Sequence, residues 1–123
     1  AVGIVHGWAN GEGGHGGDCG KGMLLRLQRD EPEDCESATA ETHSFEEFRT
    51  QACAKVGLGA WRPNVKLDKK FLRPAEVDLL IGDPTKAREK LGWEREVSFA
   101  QLVEMMVAHD LEYESKRLKN RTN

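Results

Sequence analysis

Arg73-Pro74-Ala75-Glu76-Val77-Asp78 sets a guanidinium and two carboxylates around a rigid proline, just ahead of Leu79-Leu80-Ile81-Gly82-Asp83-Pro84. Arg73 offers a planar fork of donors matched to phosphate oxygens. Glu76, three residues on, can accept from sugar hydroxyls. Together they suit a ligand carrying both a phosphate and a ribose. The same residues also make an ordinary surface ion pair beside a turn, the commoner use of such a spacing and one that contributes little.

Other residue types that do chemistry are present without the company they need. His6, His15, His43 and His109 lie near no G-x-S-x-G or cysteine-protease pattern, so no nucleophile and base are set up. His43 precedes a helix cap and His109 lies near a helix end, both ordinary structural places for histidine. The carboxylates at Glu31/Glu33/Asp34 and Glu46/Glu47 stand in solvated contexts, where nothing shifts them toward acid–base work. Lys69-Lys70 and Lys86/Arg88 could assist an anion but read first as a solvated face. His15, Cys19, Cys35 and His43 could together suit zinc, but no Cys-x-x-Cys or close histidine pair supports that. The single tyrosine, Tyr113, is followed four residues later by Arg117, not by the lysine that would lower its pKa.

Gly11-Glu12-Gly13-Gly14-His15-Gly16 matches G-x-G-x-x-G, the fingerprint of dinucleotide sites. The context is wrong, because the nearest strand candidate, Val2-Gly3-Ile4-Val5, stops well before Gly11. Seven of the 13 glycines fall within residues 1–17, which are read as a flexible segment.

The elements that must position Arg73 and Glu76 are legible from caps and periodicity. Cys19, Met23 and Leu27, widened by Leu24, form an apolar stripe on a helix capped by Asp18 and ended near Pro32. A short extended piece is expected at Cys35 to Thr39. Ser44-Phe45-Glu46-Glu47 is a capping box opening a helix with Phe45, Phe48, Ala52 and Val56 on one face, closed by Gly57. Residues 61–72 read as loop with extended pieces, and Val77 to Ile81 as a short strand. Asp83-Pro84 starts a helix that ends at Gly92, with Trp93 folding back on it. Ser98-Phe99-Ala100-Gln101 is a second capping box, ahead of a face of Phe99, Leu102, Val103, Met106 and Val107. Ser115 to Asn123 read as a polar, fraying tail.

With 123 residues, 38% hydrophobic and 32% charged, the chain allows one modest domain with a small core. A net charge of -3 gives no general attraction to nucleic acid or anionic membrane. No apolar run reaches the length of a membrane span, no signal peptide is visible, and three irregularly spaced cysteines read as reduced thiols, so a cytoplasmic protein is expected. The fold class expected is α/β and helix-rich, with short strands and no complete Rossmann sheet. Its helices carry more apolar face than such strands could cover, which points to a larger unit or a partner.

Four segments give a resemblance: Leu27 to Asp34, Ala38 to Phe48, Phe71 to Asp78 and Gly82 to Trp93, with Phe99 to Leu111 also fitting. Over about Asp18 to Tyr113 the chain resembles the C-terminal part of the GDP-mannose 4,6-dehydratases, which are extended short-chain dehydrogenase/reductases. The resemblance implies a substrate-binding part of an NADP-dependent lyase that turns GDP-mannose into its 4-keto-6-deoxy derivative. Hydride passes from sugar C4 to the cofactor, water leaves across C5–C6, and the hydride returns to C6. By the same resemblance Arg73 contacts the pyrophosphate and Glu76 the guanosine ribose.

The family's cofactor domain, catalytic Thr/Ser and Glu, and Tyr-x-x-x-Lys match nothing here. Cys19 stands for an aromatic residue, Ala40 for a glycine and Arg26 for an apolar residue. No residue is therefore assigned a catalytic, cofactor-binding or metal-binding role, and the chain alone is not expected to turn over. The organisation expected is a glycine-rich segment at 1–17, a substrate-binding domain at 18–114 and a polar tail at 115–123. Its partners are expected to be GDP-mannose and either a cofactor-domain chain or a second copy. The alternative is a non-catalytic remnant acting as a small protein-interaction module.

Overall fold

The structure is a computed structural model that describes residues 2–4, 10–11, 14–71 and 81–122. Four helices carry most of it: α1 (Gly16–Leu27), α2 (Phe45–Lys55), α3 (Thr85–Leu91) and α4 (Phe99–Thr122). The strands are short and pair only two by two. β1 (Val2–Ile4) lies parallel to β4 (Val65–Leu67), with Val2 opposite Val65, and β2 (Asn10–Gly11) lies antiparallel to β3 (His43–Ser44). Among the described residues no sheet is wider than two strands, which agrees with a helix-rich part of a larger α/β unit.

Local chemistry explains where the helices begin and end. The Ser44 hydroxyl accepts from the Glu47 amide at 3.1 Å, as a cap should. The Glu47 carboxylate, expected to complete the box, instead meets His43 Nδ1 at 3.0 Å. At the start of α4 the box is reciprocal: the Ser98 amide donates to Gln101 Oε1 at 2.9 Å, and the Gln101 amide donates to Ser98 Oγ at 3.3 Å. Asp83 Oδ1 accepts from the Thr85 amide at 3.0 Å, one residue outside the cap position taken by Pro84. Gly92, at φ 67°, adopts the left-handed conformation that closes α3, and the Trp93 amide returns to the Ala87 carbonyl at 3.3 Å.

Two small cores result. In the first, Trp93, 5% exposed, packs on α1 over Gly22, where a side chain would crowd its ring; its indole N–H donates to the Asp18 carbonyl at 2.7 Å. Asp18 is not the cap the sequence suggests. The helix begins earlier, at Gly16, with His15 at the cap position. Asp18 is instead 4% exposed, and its carboxylate accepts from the amides of Glu96 and Val97 at 3.0 and 3.1 Å. In the second core α2 packs on α4 around buried Val103, with the Phe48 and Phe99 rings tilted 60° at 6.3 Å.

The apolar stripe of α1 does not face either core. Cys19, Met23, Leu24 and Leu27 are exposed, Leu27 to 83%, while Asp18 and Gly22 are the buried residues of the helix. Trp93 selects the inward face, and the stripe turns outward. Residues 35–39 form no strand, because Arg26 donates to the Cys35 carbonyl and, at 3.1 Å, to Ser37 Oγ. At residues 61–71 the chain alternates tight turns with β4, as the mixed sequence suggests. The tail from Ser115 is helical through Thr122, carried as the last turns of α4.

Candidate functional site

Arg73 and Glu76, with the strand expected at Val77 to Ile81, fall in a stretch of which residues 72–80 lie outside those described. Both flanks are held. On the near side the Lys70 amide donates to Asp68 Oδ1 at 3.0 Å within a single turn at Lys69–Phe71. On the far side the Asp83 amide donates to Glu36 Oε2 at 3.0 Å, which ties the return of the chain to the segment after α1.

Two clefts open beside that return point. One, of about 310 Å³, includes Thr39, Ala40, Glu41, Arg88, Trp93 and Arg95 among its lining residues. The other, of about 540 Å³, includes Arg26, Glu33, Glu36, Asp83 and Lys86. Pro84 lines the first and Asp83 the second, so the start of α3 is the wall between them. Trp93 supplies the floor of the first because Gly92 turns the chain back at the end of α3.

Charge in the first cleft is already paired. Arg95 makes a forked contact with Glu41, Nη2 to Oε1 at 2.5 Å and Nη1 to Oε2 at 3.0 Å. The hydrogen bond from Arg95, and then that of His43, hold the Glu41 carboxyl below its ordinary value, and Glu41 in turn raises Arg95. His43 Nε2 lies 3.3 Å from Glu41, and its ring stacks on Phe99 with centroids 3.8 Å apart and planes 7° from parallel. Arg88 faces Glu94 at 3.7 Å. Asp83 is likewise held low, first by the Thr85 hydroxyl at 2.5 Å and then by the Thr85 amide. This set can hydrogen-bond a polar ligand and position a chain; it pairs no nucleophile with a base.

The remaining candidates stay apart. Tyr113 is exposed on α4 beside His109, centroids 6.5 Å apart, and Arg117 reaches Glu114 at 3.3 Å. Cys19, Cys35 and Cys53 are free thiols, and among the described residues no group of three or more metal-ligating side chains converges. Of the Gly11 to Gly16 motif, residues 12 and 13 lie outside those described; Gly11 belongs to the antiparallel pair β2–β3, and an added Cβ at Gly17 would sit 2.7 Å from the His15 ring. Among the described residues, no helix is long and apolar enough to cross a membrane.

Sequence reasoning missed the Glu41–Arg95 pair, whose members are 54 residues apart and carry no local signal. It could have caught His43 with Glu47, since a histidine four residues before a glutamate at a helix start is a recognisable spacing.

Comparison with known proteins covers most of this scaffold. Residues 7–106 match the family model described as GDP-mannose 4,6 dehydratase. The chain is 46% identical over 99 residues to GDP-mannose 4,6 dehydratase 1 of Arabidopsis thaliana, covering 80% of this chain and 27% of that protein. To the GDP-mannose 4,6 dehydratase of Dictyostelium discoideum it is 40% identical over 116 residues, covering 81% and 33%. To that of Homo sapiens it is 40% identical over 115 residues, covering 80% and 31%. The chain thus spans between a quarter and a third of the length of these relatives.

Proposed function

The chain belongs to the GDP-mannose 4,6 dehydratase family, and from that premise we propose that it is a nucleotide-sugar-binding portion of such an enzyme. The observation that carries the reading is the family match across residues 7–106, which takes in Arg73, Glu76 and the elements around them from β2 to the first turns of α4. Arg73 would hold the pyrophosphate of GDP-mannose through its guanidinium fork, and Glu76 would accept from the guanosine ribose.

Support for placing the sugar nucleotide here comes from the scaffold at its flanks. Asp83 and Glu36 fix one end of the 72–80 segment, and the clefts on either side of α3 open beside it. In that family the conversion uses NADP, and no residue of this chain is proposed to hold that cofactor. On this reading the chain by itself binds without turnover.

A second reading, a small interaction module without a ligand, is favoured by the exposed α1 stripe of Met23, Leu24 and Leu27. Titration of the chain with GDP-mannose and with GDP separates the two. Saturable binding of both is expected, weakened about ten- to a hundredfold in Arg73→Ala, the usual cost of a hydrogen bond to a charged group. No binding, or binding indifferent to Arg73→Ala, would overturn the first reading in favour of the second.

A further inference from the structure

Charge is unevenly spread along the chain. Between Arg49 and Phe71 stand six cations, Arg49, Lys55, Arg62, Lys66, Lys69 and Lys70, against one acid, Asp68. That stretch carries a local net of +5 inside a chain of -3, so the remainder is strongly acidic. Two of the six cations are satisfied nearby: Lys55 meets Glu104 at 3.1 Å and Arg62 meets Glu46 at 2.8 Å. Arg49 lies over the Trp61 ring at 4.2 Å, and Arg62 lies 5.0 Å from the same ring, which ties the stretch back to α2.

Lys66, Lys69 and Lys70 form an exposed basic cluster just downstream. Lys66 lies opposite Gly3 in the β1–β4 ladder, a residue that brings no charge. Lys66 and Lys69 make no ion pair among the described residues. The half-buried Asp68 accepts from the Lys70 amide at 3.0 Å, which sets the turn that presents Lys69 and Lys70. Arg73 follows Lys70 by three residues, so the chain length alone keeps their Cα atoms within about 11 Å. Screening extends over about 8 Å at physiological salt and over more than that distance at low salt, so these fields add. Resting on the reading that Arg73 holds the pyrophosphate, we propose that Lys66, Lys69 and Lys70 steer the anionic diphosphate of the nucleotide sugar toward it. They raise the rate of its arrival without touching it in the bound state. The chain's overall charge repels a nucleoside diphosphate, and the cluster reverses that locally.

Stopped-flow mixing of the full chain with N-methylanthraniloyl GDP, over about 20–500 mM salt, reads association and dissociation separately. The association rate of the parent is expected to fall at least about tenfold across that range. With Lys66→Gln, Lys69→Gln and Lys70→Gln together it should be about three- to tenfold below the parent at low salt, and within about twofold at high salt. Dissociation should change by less than about twofold, with circular dichroism unchanged. Arginine at all three positions keeps the charges and should hold the parent rate to within about twofold. An equal loss at every salt concentration, or a loss carried by dissociation, would overturn steering by making these lysines contacts or structural props. An association rate indifferent to the neutral variant would also overturn it, with the nucleotide-binding reading left standing. Absence of binding by the parent would overturn both, since there would be no arrival to steer.

Discussion

Ala40 has φ 60°, the left-handed region in which a Cβ crowds the following carbonyl. The resemblance to the dehydratases puts glycine there, and this chain carries the strain of the replacement. Ala40→Gly should raise stability by about 0.5–1 kcal/mol, the relief of strain less the extra freedom of glycine in the unfolded chain. Chemical denaturation checks this, and an unchanged or lower midpoint would show that the neighbouring turn adapts to alanine. One residue on, Glu41 gives the fold an acid dependence. Its carboxyl is held below the ordinary 4.5, first by Arg95, so the folded state favours the ionised form. The pairing stabilises the protein fully above about pH 4.5 and is lost as pH falls through the lower folded value. Thermal melts of Glu41→Gln should show a shallower decline below that pH than the parent; parallel declines would show that another group carries the acid response.

Helix ends are legible because a cap is a contact between residues three apart. Ser98 with Gln101, Ser44 with the Glu47 amide, and Gly92 at φ 67° could all be read off the letters. Which face a helix buries is a different kind of question. Met23, Leu24 and Leu27 make the apolar side of α1, yet the helix turns Asp18 and Gly22 inward because Trp93, 75 residues from Asp18, docks there. No window of helical length contains both partners. The structural weight of Asp18 follows from the same contact, since its carboxylate satisfies two amides just after Trp93. Asp18→Ala should destabilise the protein by about 2–4 kcal/mol, the cost of leaving two partly buried N–H groups unmet. Asp18→Asn, which keeps one acceptor oxygen, should cost clearly less; equal losses in the two variants would mean that packing, not acceptance, is what Asp18 provides.

At the scale of the whole molecule, a helix-rich composition and a surplus of apolar surface could both be foreseen from 38% hydrophobic residues spread over strongly patterned helices. The surplus is real: Met23, Leu24 and Leu27 on α1, and Leu111 and Leu118 on α4, stay in water. Relatives about three times as long have more chain with which to cover such faces. Less foreseeable was which long-range contacts would close the body, because Glu41–Arg95 and Trp93–Asp18 each join segments that carry no mark of one another. The parallel pair of β1 with β4 is a third such closure, and it bears on the order of events in folding. Val2 can meet Val65 only after the α1 and α2 segments between them have been drawn into a loop. Closing that loop sacrifices chain entropy before three residue pairs can return it. The helices, built from neighbours, can assemble first, and the short parallel ladder should be among the last structure gained and the first released when the protein is stressed.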